Sequence, residues 1–179
     1  MNNSQDVSAP KLFSPLRLRG VEFASRAWAS PMCQYSANEG LVSQWHLVHL
    51  GAFATGGVGL VMTEATAVSA EGRITVACTG IWNEKHVVGW KPIVEFVHSM
   101  STPIGIQLSH AGRKGSTLRP WDSHMIATAE EGGWETQGPS AIAYSDFPLP
   151  REMTLADIDK VINDYRDSAI RAVEAGFDL

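Results

Sequence analysis

The sequence predicts an α/β fold with parallel strands, and it favours a (β/α)8 TIM barrel of which the chain forms about the first half. Apolar strand segments alternate with helical segments after an N-terminal hairpin, an order that produces parallel strands joined by crossover helices. The long connections all follow strands. Long strand-to-helix loops lie together at one end of a barrel, where active sites are built.

A doubly wound sheet is the competing architecture. Such a sheet carries its glycine-rich turn directly after the first strand, at the start of a helix. Here the glycine-rich segment 56–59 follows a helix and precedes a strand. The sequence therefore indicates a helix end at this point, and the barrel remains the favoured architecture.

The first elements have clear local signals. Residues 16–23 alternate in polarity about a central Arg-Gly pair, which predicts a hairpin. Residues 26–29 are expected to form the first barrel strand. Ser43 is the predicted N-cap of a first helix that ends at Gly56.

The middle of the chain predicts a second strand and a second helix. Residues 58–65 are apolar and rich in β-branched side chains, as in a strand covered on both faces. Asn83 is the predicted cap of the second helix. Pro92 lies inside its pattern, so the helix is expected either to kink or to begin near Lys91. Residues 103–108 follow as a third strand.

The last third of the chain predicts one long loop and one helix. Residues 109–153 are rich in Gly, Trp and Pro and show no regular pattern. Thr154 and Asp157 form a capping-box pair at the start of the third helix. That helix ends at Gly176, and residues 177–179 are expected to begin a fourth strand.

Composition restricts the class of protein. The 179 residues are 44% apolar and 18% charged, as in a globular protein with a packed core. A formal net charge of −5 argues against a nucleic-acid partner, and no apolar run approaches the ~18 residues of a membrane helix.

Two cysteines, Cys33 and Cys78, indicate free thiols in a reducing, cytoplasmic compartment, although a disulfide between them stays open as the alternative. Residues 1–12 are expected to be a disordered tail without a secretory signal, and residues 13–179 the half-barrel.

Polar side chains near the ends of predicted strands are the candidates for chemistry. Cys33 follows the first barrel strand, where it is either part of a site or a small buried hydrophobe. Gln107, in the third strand, is either a buried structural amide or a reader of the edge of a flat heterocycle. Glu64 is expected to be structural, paired with an arginine. His46 and His49 lack the glutamate of a metal-binding His-Glu-x-x-His helix, so packing or capping is expected and no metal site is predicted.

Four segments, in order, resemble the Old Yellow Enzyme family of FMN-dependent ene-reductases: SPMCQYSANEGLVSQWHLVHLG, TEATAVSAEGRIT, GIWNEKH and GIQLSHAGRKGS. The form PMCQYS is similar to the thermophilic-type branch that includes the xenobiotic reductases. The resemblance implies a (β/α)8 barrel that binds FMN at the C-terminal ends of its strands. It also implies transfer of hydride from NADPH or NADH to alkenes activated by a carbonyl or nitro group.

The resemblance assigns roles to individual residues. The flavin would be lined by Ser30, Pro31, Met32 and Cys33, with Cys33 adjusting its electronic properties. Ala65 and Gln107 would meet its pyrimidine edge, and Tyr35 would face the substrate. The family's oxygen-binding pair, His-x-x-His or His-x-x-Asn, and its tyrosine proton donor come after the point that corresponds to Leu179, so no catalytic residue is expected within this chain.

The same resemblance implies partners. A complementary C-terminal half-barrel, a small activated alkene and a second copy in a homo-oligomer are expected. One alternative is another FMN barrel, such as a relative of dienoyl-CoA reductase or amine dehydrogenase, although the cysteine cluster of those enzymes is not visible. A further alternative is a half-barrel that serves assembly and has no activity of its own.

Overall fold

An antiparallel hairpin lies near the start of residues 10–179, the part of the chain that the structure, a computed structural model, describes. Strands β1 (Leu16–Leu18) and β2 (Val21–Phe23) pair as the hairpin prediction requires, with Arg19 in the left-handed region at φ 51°. Residues 1–9 of the predicted tail lie outside the described residues. Lys11–Phe13, at the end of that predicted tail, forms a one-turn 3-10 helix.

A three-stranded parallel sheet organises the rest. Its strands are β3 (Trp28–Ala29), β4 (Leu60–Ala67) and β5 (Ile104–Ser109), in that spatial order. The backbone N–H of Asp178 donates to Ile104 O at 2.9 Å, so the segment after the last helix meets β5 as the predicted fourth strand should. This is the strand order of a barrel wall.

Three helices cross over between the strands: α1 (Gln44–Thr55), α2 (Glu84–Ser99) and α3 (Leu155–Ala175). The α2 helix is continuous through Pro92, so the suggested start near Lys91 is wrong. Asn83 Oδ1 accepts hydrogen bonds from the second and third backbone N–H groups of α2, and this cap starts the helix about two turns earlier than the proline alone suggests. Among the described residues, no helix combines the length and apolar content needed to cross a bilayer.

The core lies between the sheet and these helices. Trp90 is fully buried at its centre, and all three helices, β4, β5 and the end of the chain contribute other buried members, including Leu50, Val61, Val94, Ile104, Ala172 and Phe177. By contrast, α3 buries few residues, and its apolar positions Leu155, Ile162 and Val173 are 81%, 61% and 74% exposed. The apolar face predicted for α3 is therefore largely uncovered by this chain.

The segment predicted as one long loop has short elements of its own. Strands β6 (Gln137–Gly138) and β7 (Arg151–Glu152) pair in parallel, and two 3-10 turns precede them. Arg151 donates to both carboxylate oxygens of Asp157 at 2.9 and 3.0 Å. This bidentate bond, with the capping bonds of Thr154, holds the pKa of the Asp157 carboxyl well below its usual range. The predicted capping box at the start of α3 is confirmed.

Acid sensitivity is expected from His86 on α2. Its side chain is 1% exposed, and burial lowers its pKa because the charged ring loses water. The unfolded chain keeps a histidine pKa of about 6.5. The unfolded state therefore takes up the proton first as the pH falls, and the contribution to stability is present above about pH 6.5 and is lost below it. In urea titrations, His86→Gln should reduce the loss of unfolding free energy between about pH 7 and about pH 5. A pH dependence as steep as in the wild type would contradict this assignment.

Candidate flavin site

The loop after β3 carries most of the predicted cofactor residues. Ser30, Pro31 and Met32 are exposed, and Met32 is 44% accessible. Gln34 Nε2 donates to Met32 O at 2.8 Å, which folds the loop back on itself. A thioether and a proline ring are thus presented to solvent at the carboxyl end of a parallel strand.

A β-bulge in β4 decides which residues stand beside each other at this edge. Met62 is paired with Gly105, but the next pair is Ala65 with Gln107, so β4 has one residue more than β5 between the two pairs. Thr63 Oγ1 accepts a hydrogen bond from Gln107 N at 3.3 Å and takes the place of a missing ladder partner. The bulge makes Ala65 the direct neighbour of Gln107.

Gln107 is exposed, which corrects its interpretation as a buried structural amide. Its backbone N–H is used by Thr63, whereas the described residues supply no hydrogen bond to its side-chain amide. The amide has two donors and one acceptor to offer a ligand. Of the two interpretations of Gln107, the ligand-facing one agrees with this placement.

Glu64 joins the β3 loop to α1, and its partner is a histidine where an arginine was expected. Glu64 Oε2 accepts a hydrogen bond from Gln34 N at 3.1 Å. His46 Nδ1 accepts from Ser43 N at 2.9 Å, which turns His46 Nε2 toward Glu64 Oε1, 3.4 Å away. Both side chains are buried. The capping role expected of His46 is confirmed, and among the described residues no cluster suited to a metal ion occurs.

Cys33 and Cys78 interact as free thiols, as predicted, and do not form the disulfide that the sequence left open as the alternative. Both are free thiols, Cys33 half-buried and Cys78 fully buried. Their mutual hydrogen bond and the burial of Cys33 raise the pKa of Cys33. The same hydrogen bond lowers the pKa of Cys78 to about 6, with Thr75 acting in the same direction. The hydrogen bonds from Thr75 therefore favour a thiolate at Cys78 over one at Cys33.

Tyr35 lies in the same loop, two residues after Cys33, and its backbone is in the left-handed region at φ 50°. Its ring meets Trp121 edge-on at 5.6 Å, and burial raises the pKa of its phenol. A cavity of about 430 Å³ opens beside it, lined in part by Thr75, Lys114, Arg119 and Met125. Cys33, Ala65 and Gln107 do not line this cavity, so the predicted flavin edge and the predicted substrate side are separate surfaces that meet near Tyr35.

Comparisons with known proteins match the chain to one family and to relatives about twice its length. Residues 11–179 match the model of the NADH:flavin oxidoreductase / NADH oxidase family. The chain is 45% identical to NADH:flavin oxidoreductase FG08077 of Gibberella zeae, over 98% of this chain and 44% of that protein. It is 43% identical to an NADPH dehydrogenase of Geobacillus sp. (strain WCH70), over 94% of this chain and 46% of that protein. The chain thus spans about half the length of the curated relatives it matches.

Solved structures agree. Morphinone reductase has a TM-score of 0.79 at 28% identity, over 97% of this chain and 48% of its own. The old yellow enzyme homologue from Zymomonas mobilis has a TM-score of 0.77 at 27% identity, over 94% and 47%. The half-barrel prediction and the resemblance to the Old Yellow Enzymes are confirmed, and the family description names flavin and NADH, in line with the predicted cofactors. This chain belongs to the NADH:flavin oxidoreductase / NADH oxidase family.

Proposed function

We propose that this chain is the N-terminal, FMN-contacting half of a flavin-dependent ene-reductase. The enzyme would use NADPH or NADH to reduce alkenes activated by a carbonyl or nitro group, such as enones, enals and nitroalkenes. The observation that carries the proposal is the pairing of Ala65 with the free amide of Gln107 at the carboxyl edge of a parallel sheet, beside the Cys33 loop. Family membership makes a flavin the ligand that such an edge is expected to receive.

The residues present fit a flavin by their chemistry. An isoalloxazine ring has apolar faces and one edge with both donors and acceptors. Pro31 and Met32 offer exposed apolar surface, and the Gln107 amide offers both kinds of hydrogen-bonding atom. Bound FMN would supply the hydride chemistry, while the protein orients and adjusts it.

Each predicted residue then has a task. Ser30, Pro31 and Met32 would support the ring, and Cys33 would adjust its electronic properties through the thiol. Gln107 and the backbone of Ala65 would hold the pyrimidine edge. Tyr35 would face the substrate from the wall of the 430 Å³ cavity.

A complementary half-barrel is part of the proposal. The chain spans about half the length of the curated relatives it matches. The exposed apolar positions of α3 and the free edge of the sheet support a second half that covers them. We expect a cytoplasmic homo-oligomer assembled from complete barrels.

Anaerobic spectroscopy tests the activity. Protein that contains both halves should show a flavin band that NADPH or NADH bleaches and that 2-cyclohexenone restores. Restoration by a dienoyl thioester alone would favour a different FMN barrel. Folding of the two halves without flavin would favour an assembly module. The names of the relatives divide between NADH and NADPH, so both donors should be compared.

Replacement of Gln107 tests the pyrimidine edge. Gln107→Leu keeps the approximate size of the side chain and removes its hydrogen bonds, so FMN should dissociate about tenfold more readily. Fluorescence titration of FMN measures this change. Gln44→Leu, at an exposed position that begins α1, is the matched control and should leave FMN affinity unchanged. Equal affinities of the Gln107 variant and the wild type would remove Gln107 from the site.

A further inference from the structure

Cys33 and Cys78 are brought together by two segments that are hydrogen-bonded to each other. Cys33 lies in the loop after β3, and Cys78 lies between β4 and α2. The backbone N–H of Ala37, four residues after Cys33, donates at 3.0 Å to the carbonyl oxygen of Ala77, the residue before Cys78. This connection keeps the two thiols as neighbours in the folded protein, although they are far apart in sequence.

The sulfur of Cys78 sits among hydrogen-bond donors. Thr75 N donates to Cys78 Sγ at 3.3 Å, and Thr75 Oγ1 lies 3.3 Å from the same sulfur. Because Thr75 Oγ1 accepts from Ala77 N at 3.1 Å, its own proton is available to Cys78. With the Cys33 thiol as a further donor, this arrangement suits a thiolate.

The two thiols differ in access. Cys78 is completely buried, whereas Cys33 is half-buried and borders the exposed residues Pro31 and Met32. A small reagent from solvent therefore meets Cys33 first, with Cys78 directly behind it. Redox-sensing pairs place an accessible thiol beside a resolving thiol, and here the buried Cys78, whose pKa is the lower of the two, can act as the base for the accessible Cys33.

We propose that Cys33 and Cys78 form a reversible thiol–disulfide switch that is closed by a peroxide and reopened by a small thiol. The pair carries no third ligand of the kind a metal needs, since no metal-binding cluster occurs among the described residues. The switch uses only residues of this chain and does not depend on the proposed ene-reductase activity. Formation of the disulfide removes the free Cys33 thiol from the loop surface that the flavin would contact.

The chemistry balances with hydrogen peroxide as the oxidant. The pair holds one proton between two sulfurs, and in the first step the Cys78 thiolate takes this proton from the Cys33 thiol, which leaves Cys33 as the thiolate. The Cys33 thiolate attacks one peroxide oxygen and the O–O bond breaks, which gives Cys33 sulfenic acid and a hydroxide that takes the Cys78 proton to become water. The Cys78 thiolate then attacks the Cys33 sulfur, the S–S bond forms, and hydroxide leaves as the S–O bond breaks. Two electrons have passed from the sulfurs to the peroxide.

Peptide mapping of the folded protein tests the switch. After a brief treatment with hydrogen peroxide, free thiols are blocked with iodoacetamide and the protein is digested without reductant. We expect one cross-linked pair of peptides that contains Cys33 and Cys78, and its disappearance after dithiothreitol. Further oxidation of Cys33 while Cys78 stays free for alkylation after unfolding would overturn the proposal.

Two variants and one control distinguish a functional cysteine pair from two thiols that lie close together by chance. Thr75→Val removes the hydroxyl beside Cys78 Sγ, so that Cys78 takes the shared proton more readily and disulfide formation should become about threefold to tenfold faster, whereas Thr55→Val, on the exposed side of α1, should not change it. Cys78→Ser should leave a Cys33 sulfenic acid that dimedone traps. If the Thr75 variant cross-links no faster than the wild type, the position of the shared proton does not control the reaction and the proposed first step is wrong. Because the readout is thiol chemistry, absence of flavin activity would leave the result interpretable.

Discussion

Replacement of Trp90 by alanine is expected to lower the free energy of unfolding by about 3–5 kcal/mol. The side chain is fully buried at the centre of the core. Its ring packs edge-on against Phe177 at 5.5 Å and His46 at 6.4 Å, and Nε1 donates to Gly80 O at 3.2 Å. The variant would leave a cavity and an unpaired carbonyl where α1, α2 and the last segment of the chain meet.

Urea unfolding followed by circular dichroism measures this loss. Trp121→Ala is the matched control, because Trp121 is 64% exposed and its main contact is the edge of Tyr35. The control should lose no more than about 1 kcal/mol. A similar loss in both variants would show that Trp90 is not the centre of the core.

Replacement of Glu64 by alanine is the second large effect, because it acts on stability and on the site together. Removal of the carboxylate leaves Gln34 N without its acceptor and His46 Nε2 facing a void. A hydrogen bond to a charged group contributes about 1.5–3 kcal/mol, so the unfolding free energy should fall by that amount. The Cys33 loop loses its connection to β4, and FMN affinity should fall with it.

Two further variants identify the cause. Glu64→Gln keeps an acceptor for Gln34 N and should recover most of the stability and FMN affinity. Glu95→Ala, at an exposed position of α2, should change stability by less than about 0.5 kcal/mol. Unchanged FMN affinity in Glu64→Ala would mean that the loop keeps its shape without this carboxylate.

The helices of this fold are readable from the sequence because their signals are local. Ser43, Asn83 and Thr154 each precede an apolar pattern, and all three cap the helices they predict. The helix start that Pro92 suggested is wrong, because the Asn83 cap starts the helix earlier. The exposed proline ring is accommodated inside the helix. The order of strands follows from the alternation of elements, which is also a local property.

The contacts of the site are not local, and residue patterns alone do not reveal them: the family resemblance brought Ala65 and Gln107 to one edge, but it did not predict the bulge that pairs them. The bulge of β4 depends on its pairing with β5, and it alone makes Ala65 the neighbour of Gln107. The pairing of Cys33 with Cys78 needs two loops that meet in space. The signal that was available is the hydroxyl-rich neighbourhood of Cys78, in which Thr75 lies three residues before it.

The central claim is that this half-barrel contributes a flavin wall to an ene-reductase. The most direct measurement is the absorbance spectrum of the chain co-folded with the C-terminal half of its Geobacillus relative in the presence of FMN. The account predicts a bound flavin band that NADPH or NADH bleaches without oxygen and that 2-cyclohexenone restores. A co-folded barrel, verified by circular dichroism, that stays colourless or holds a flavin that neither donor bleaches would contradict it.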